Sequence, residues 1–519
     1  MTQTERNADS QPVAPRYNLV DEPWIPVQRL DGTRDELGIR DTLLHADQIA
    51  EIQDGSPLVV AALHRLLLAV LYRALEGPTD GRQAAAWFRD GWPLDRIDAY
   101  LQRWRERFWL FHATHPFAHI PSFEPKAWRA WTVLAAEHNA DNAKVLFDHI
   151  AIDQAGSVEP ARAARWLIAA QAFSVSAGKS ELAHTSTAPS ATSALVMPIG
   201  ATLRDTLAYL LVPQNRLVLE CDLPLWERDP ESLQTLMTTN ERRVEGYADR
   251  YTWRTRAVRL KADPSGRVGG VAFASGMSAA DDRQEDPMAA YRNDDKRGRL
   301  PLIFRERGLW RDFDSLLPGQ AGDAPRVIDH AIAMGRDSSQ RFPQAVLVAG
   351  QANDKAKIEF WRIERFHLPQ ALRSSRLVRN EVRELLAKAE EVQSALWVAC
   401  STLARDLLSH GTRSPEKRDI SGAVAQMPAI AMYWSILEAS FHAVLHDYTE
   451  RRDWEDIRWS WIKAVRDSLS RSWNCMVGSV GPSDAWTVRA VARAEQPVRR
   501  RLALLSREID TLDPAKEPA

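Results

Sequence analysis

Imidazole is a common nitrogen ligand for zinc, and His112, His115 and His119 fall within the short stretch Leu110-Phe111-His112-Ala113-Thr114-His115-Pro116-Phe117-Ala118-His119. A metal-dependent hydrolase is the activity such a trio would serve. The stretch lacks the HExxH arrangement, which puts two ligands and a general base on one helix face. Pro116 also breaks the helix that would align the three rings. The sequence favours a structural turn, with His115 hydrogen-bonded near Pro116, and no metal or cofactor is assigned. Gly178-Lys179-Ser180 invites comparison with a phosphate-binding loop. That motif needs a further glycine where this chain has Phe173, and no buried strand precedes it, so nucleotide binding is rejected. What remains, Phe173 to Ser193, is a stretch of small residues that allows close backbone approach by a ligand.

Cationic and amide side chains make the remaining candidates. Ala345-Val346-Leu347-Val348-Ala349 reads as a buried strand and Ile358 to Phe366 as a second. Between them Gln351, Asn353, Asp354, Lys355 and Ala356 form a polar hairpin tip. Such a tip presents donors rigidly to a ligand, or is simply solvated. Arginines crowd two helices: Arg376, Arg379 and Arg383 at the start of one, and Arg489, Arg493 and Arg500 along another. At 3.6 residues per turn each set can project toward one side. Rows of that kind suit a phosphate backbone, though a charge run also serves as a solvated face.

The elements that position these residues change character near Pro369. Before it the sequence mixes strands, loops and helices; after it, it reads as helix. Pro57 opens a strong helix stopped by Gly77-Pro78, and Asp41 reads as the cap of a shorter one. Asp249 to Arg259 alternates like a strand. Beyond Val378 the apolar series Val382, Leu385, Ala389, Val392, Leu396, Ala399 and Leu403 keeps helical spacing. Three more helices follow, from about Ala423 to Tyr448, Trp454 to Trp473, and Ser483 as N-cap to Leu505. The expected architecture is α+β: a tail over 1–15, a large mixed α/β N-terminal domain over 16–369, a C-terminal four-helix bundle over 370–510, and a tail over 511–519.

With 519 residues the chain has material for two or three domains, and its net charge of −2 leaves any nucleic-acid binding to local patches. No run reaches the roughly 18 apolar residues of a membrane span, and 1–15 is polar. Cys221, Cys400 and Cys475 are far apart, which excludes a CxxC metal site and a disulfide framework and fits a reducing cytoplasm.

Several segments in order carry a resemblance: Tyr17-Asn18-Leu19-Val20-Asp21-Glu22-Pro23-Trp24-Ile25-Pro26-Val27, the 110–117 segment, Asp222-Leu223-Pro224-Leu225-Trp226-Glu227, Tyr251-Thr252-Trp253, and the helical C-terminus. Together they resemble the CasA family, the large subunit of the type I-E CRISPR surveillance complex, Cascade. The resemblance implies a non-enzymatic protein that recognises the protospacer-adjacent motif of double-stranded DNA, promotes duplex opening and R-loop formation, and recruits a helicase–nuclease. Implied partners are the other Cascade subunits, the 5′ handle of the CRISPR guide RNA, target duplex and displaced strand. By position, Asn353, Asp354, Lys355 and Ala356 match the family's wedge loop, with Gln351 nearby. Ala177, Gly178 and Lys179 match its glycine-rich minor-groove loop. Phe147, Asp148 and His149 match the loop that docks on the guide complex, and Arg283 is the cation in the region of the lysine finger. A hydrolase on His112, His115 and His119 and a protein-only scaffold are the alternatives.

Overall fold

The computed structural model describes residues 16–138, 155–175, 181–182, 187–238, 240–280, 285–294, 296, 298–318, 324–336, 341–354, 357–373, 378–411, 414–450, 452–481 and 483–513. The chain divides into two compact units. The first holds 1–306 and 322–365. The second holds 366–519 and also takes 307–321 from mid-chain, which the sequence reading left in the N-terminal domain.

The first unit is organised around the helix Pro57–Leu75. Its sequence is apolar all round, and every residue but Arg73 is buried. It is long and apolar enough to cross a membrane, contrary to the sequence expectation, yet 94% of its most apolar window is buried inside the protein, as in a core helix. Its polar side chains are all tied. His64 Nδ1 lies 2.8 Å from Val60 O, Arg65 is paired with Asp286 at 2.7 Å, Tyr72 donates to Val212 O at 2.8 Å, and Arg73 is paired with Glu227 at 2.8 Å.

The helices Leu94–Trp104, Pro160–Phe173 and Tyr247–Tyr251 pack against this helix, and the unit also holds several small sheets. Ile25–Arg29 lies between Arg34–Leu37 and Ile49–Ile52, antiparallel to both. Arg256–Ala262 and Val268–Ser275 form a hairpin flanked by Arg129–Ala130. Ala345–Asp354 lies between Leu195–Ile199 and Lys357–His367. Ala345 to Ala349 pair with Ile199 to Leu195 in antiparallel register, so this strand is buried on both sides, as its apolar run implies.

Two local expectations need correction. The helix Ile39–Leu44 is capped at Gly38, with Asp41 in its first turn. Tyr247–Tyr251 is helical, not the start of a strand, and the strand begins at Arg256. The cause is Asp222, whose carboxylate accepts the amides of Ala248 at 2.9 Å and Asp249 at 2.7 Å from a distant part of the chain. That capping satisfies the orphan N–H groups of a helical turn and overrides the alternation. Gly246 precedes the turn because a Cβ there would overlap the Asp222 carboxyl.

The second unit is a helical bundle of Val378–Ser409, Pro428–Thr449, Trp454–Val480 and Ala485–Thr511, with the short helix Lys417–Gln426 beside the first. The sequence reading ran the second helix from Ala423. It breaks instead at Met427, which is extended because the following Pro428 disfavours the helical region before it. The last helix is capped by Asp484, which accepts the Thr487 amide at 2.7 Å, rather than by Ser483. Segment 307–321 belongs here because Trp310 enters the bundle core, 5.2 Å from the Phe441 ring and 5.6 Å from Trp434. Arg311 covers Trp434 at 3.6 Å and is paired with Glu390 at 2.6 Å.

Candidate nucleic-acid interface

The hairpin is longer than its sequence suggests. The first strand runs on through Gln351 to Asp354 and the second starts at Lys357. This moves Gln351 out of the candidate site. It is 1% exposed, and its Nε2 donates to Phe173 O at 2.8 Å. Asn353 is half-buried and Asp354 ends the strand, while Lys355 and Ala356 lie outside the described residues. Alternation along the strand puts Asn353, two residues on, on the same face as Gln351, and it is less buried nearer the strand's end.

Ala177, Gly178 and Lys179 also lie outside the described residues, but the backbone leading to them is well held. The helix Pro160–Phe173 ends there. Its last carbonyl and the two that follow meet three different parts of the chain: Phe173 O accepts from Gln351, Ser174 O from the Ala188 amide at 2.8 Å, and Val175 O from Arg256 Nη2 at 2.7 Å. Arg256 is 4% exposed, and burial pushes its guanidinium down to about 10. Gln171 braces the same strand, accepting the Arg256 amide at 2.8 Å and donating to Arg256 O at 2.9 Å.

Phe147, Asp148 and His149 fall in 139–154, outside the described residues, but the ends of that segment meet at one aromatic cluster. Trp131 and Trp166 stack at 4.8 Å with an interplanar angle of 7°. His138 stands edge-on to both, at 5.1 and 5.5 Å. Trp131 Nε1 donates to Ala155 O at 2.9 Å, Trp166 Nε1 donates to Glu137 at 2.8 Å, and Arg162 covers Trp166 at 4.8 Å. Entry and exit of the segment are thereby held together. Arg283 is likewise outside the described residues. The chain re-enters the core just beyond it at Asp286, whose carboxylate pairs with Arg65 and also accepts the Met288 amide at 3.0 Å. Burial raises that carboxyl, but Arg65 and Arg250 outweigh it and hold it below the usual carboxylate range.

Within the bundle the arginine rows are unequal. Arg376 is outside the described residues, and Arg383 is exposed beside Asp314 at 3.2 Å. Arg379 is 5% exposed and does not stand in a solvent-facing row. It precedes the buried Val382 and Leu386 by helical spacing, so it shares the apolar face. Arg489, Arg493 and Arg500 are exposed on the last helix. Arg493 reaches Asp406 at 3.4 Å and lies over the Trp486 ring, which offsets part of the row's charge.

The histidine trio is a turn. His112 Nδ1 accepts the His115 amide at 3.0 Å, and the Thr114 hydroxyl meets His115 Nδ1 at 2.8 Å. His119 is buried apart, and burial, with Arg259 nearby, pushes it down to about 3. Among the described residues no group of His, Cys, Asp or Glu side chains could hold a metal ion.

The residues that sequence reasoning missed are the buried polar ties, above all Asp222, Arg256, Gln171 and Asp286. One signal was available. Arg65 in the middle of an otherwise apolar helix demands a buried partner.

Residues 18–472 match the family model described as CRISPR-associated protein Cse1. The CRISPR-associated protein CasA/Cse1 of Thermus thermophilus is 33% identical over 509 residues, covering 96% of this chain and 99% of that one. The solved structure of Thermus thermophilus CasA aligns with a TM-score of 0.82 at 30% identity, over 94% of this chain and 99% of that one. The crystal structure of Cse1 from Acidimicrobium ferrooxidans aligns at 0.74 and 25% identity, over 95% and 99%.

Proposed function

Because the chain belongs to the CRISPR-associated Cse1/CasA family, the large subunit of the type I-E Cascade complex, we propose that it acts without catalysis of its own as the motif-reading subunit of that complex. It recognises the short motif flanking the target in duplex DNA, promotes opening of the adjoining base pairs so that guide RNA can pair, and offers a surface to a helicase–nuclease. Protein reads the motif and backbone while base pairing reads the rest. The other Cascade subunits and the guide RNA are the proposed assembly partners, with 139–154 carrying Phe147, Asp148 and His149 to the guide complex.

The observation that carries the reading is the hairpin. Its inner strand pairs with Leu195–Ile199 in the core, and its outer end carries Asn353, which precedes Lys355 by two residues in the sequence. A minor-groove reader needs small residues, acceptors and a wedge, because guanine's amino group is what distinguishes G·C from A·T there. Asn353 can accept from that amino group; Lys355 can pair with a phosphate and hold strands apart. Ala177, Gly178, Lys179 and Arg283 belong to the same reading surface, and Arg383, Arg489, Arg493 and Arg500 to the phosphate-contacting one. Arg376 is proposed with them from its position in the sequence.

The test is a gel shift of the reconstituted complex, with and without this chain, on duplexes differing only in the flanking trinucleotide. Motif preference should require the chain. Asn353→Ala should relax the preference, and Lys355→Ala should weaken binding to every duplex. A complex that discriminates equally well without the chain would overturn the proposal. Discrimination lost with no salt-dependent DNA contact would leave a protein-only scaffold.

A further inference from the structure

We propose that a small pocket of the first unit, lined by Arg107, His115, Arg228 and Arg254, takes a carboxylate presented by an acidic segment of a protein partner, which displaces Asp229 from Arg107 and His115. The pocket shares no residue with the DNA-reading surface proposed above.

Three segments distant in sequence meet there. The turn ending in His115-Pro116-Phe117 supplies one side and Leu225 and Trp226 another, while Arg254, directly after Tyr251-Thr252-Trp253, supplies a third. The buried part of the lining is rigid. The Phe117 and Trp226 rings stack at 6.4 Å with an interplanar angle of 19°, and Trp226 Nε1 donates to the Tyr100 hydroxyl at 2.7 Å. The recess has room for about one water-sized group, so it takes the tip of a ligand rather than a whole molecule.

The cations around this recess differ in how firmly they are held. Arg254 is 5% exposed and tied twice, to Glu231 at 2.8 Å and to Asp229 O at 3.0 Å. Arg228 donates to Leu223 O at 2.9 Å and pairs with Glu245 and, at 3.9 Å, with the buried Asp249. Breaking a buried pair is costly, so these two stay where they are. Arg107 is held otherwise. It reaches Asp229 Oδ1 at 3.0 Å, and the same oxygen lies 3.7 Å from His115 Nε2. The Thr114 hydroxyl meets the other nitrogen of that ring at 2.8 Å and fixes its direction. The Asp229 side chain is 79% exposed, and an ion pair so placed holds weakly. A carboxylate of the chain thus already stands on Arg107 and His115 from the solvent side, and another can replace it. Phosphates of a nucleic-acid backbone suit open rows of cations. A narrow recess walled by Phe117, Trp226 and Pro230 instead suits an acid on a short apolar stem, as glutamate is.

The test uses the full chain with isotope-labelled histidine, its His115 ring resonances identified by their loss in His115→Gln. The probes are the acetylated, amidated tripeptide Ala-Glu-Ala, its glutamine counterpart and inorganic phosphate. The glutamate peptide should move the His115 resonances saturably, and the glutamine peptide should not. Arg107→Met should weaken the peptide by about fivefold or more, as loss of a hydrogen bond to a charged group does. Asp229→Asn removes the resident carboxylate and should tighten binding by about threefold, within the worth of one exposed ion pair. That second variant is at an exposed position and keeps the test decisive should Arg107→Met fail to fold. Silence of the His115 resonances in both wild type and Asp229→Asn would overturn the proposal. So would a response that neither Arg107→Met nor Asp229→Asn alters. Phosphate moving the resonances while the peptide does not would overturn the protein partner and make the pocket a nucleic-acid contact.

Discussion

In the N-terminal unit, irregular backbone is pinned by buried polar side chains. Asp222 caps a helical turn from 26 residues away, Asp286 returns the chain to Arg65, and Gln171, Gln351 and Arg256 hold the end of one helix against two sheets. In the bundle, apolar side chains at helical spacing do most of the positioning. Its few deep polar contacts, such as Tyr433 to Ala389 O at 2.9 Å and Trp461 to Leu385 O at 2.7 Å, bind tips of large aromatic side chains already placed by packing. A helix satisfies its own backbone, so a bundle needs only complementary surfaces. Short strands and loops do not, so their amides and carbonyls must find partners elsewhere. The first unit is thus sensitive to loss of single polar atoms, the second to loss of volume.

The largest expected effect of that difference is at Asp222. Asp222→Ala leaves two amides and Gln214 Nε2 without their acceptor in a buried place. Each unmet group costs about 1–3 kcal/mol, so a loss of roughly 3 kcal/mol or more is expected. Hydrogen exchange of the full chain should speed up over Tyr247–Tyr251 while the bundle helices keep their protection. Equal loosening of both units would contradict the comparison.

Acid should act next, and mainly on the first unit. His64, His119 and His330 are buried there, and burial pushes them down to about 4, 3 and 4 from an ordinary value near 6.5. Above pH 6.5 these rings are neutral in both states and their contribution is fully present. Below it the unfolded chain takes up protons that the folded chain refuses until pH 4 to 3, so stability falls as pH falls. Each ring can contribute up to about 1.4 kcal/mol per pH unit in that window. Thermal melts from pH 7.5 to 5.5 should show the first unit's transition falling, and His64→Gln should make the slope shallower. A melt independent of pH over that range would show the rings to be solvated.

Inside the bundle the readout is the difference, about 2 kcal/mol, between two variants. Leu437 is fully buried, and Leu437→Ala should cost about 3 kcal/mol through the cavity it leaves. Tyr433→Phe removes only a hydroxyl and should cost about 1 kcal/mol. Denaturant unfolding of the variants checks the order; a Tyr433→Phe loss as large as that of Leu437→Ala would mean the bundle too depends on polar ties.

Much of this molecule could be read from its sequence. Pro57 to Leu75 and the bundle helices announce themselves by apolar spacing, because a helix buries a face set by its own period. The two strands of the hairpin were legible from short β-branched runs, and the ordered segments near Tyr17, Leu110, Asp222 and Tyr251 carried the family. Failures came where a distant group decided local structure. Tyr247–Tyr251 alternates like a strand, yet Asp222 makes it helical. Gln351 looks like a tip residue, yet it faces inward to Phe173 O. Arg379 looks like one of a cationic row, yet it shares the apolar face of its helix. Local propensity and period are properties of neighbouring residues, which sequence displays directly. A buried hydrogen bond between residues 178 positions apart, as between Phe173 and Gln351, exists only once the chain has closed on itself. Composition and spacing therefore determined the helices and the bundle, and the ordered segments carried the family resemblance. Tertiary structure alone decided which polar side chains stay exposed and which hold the backbone, because burial, not residue type, makes that choice.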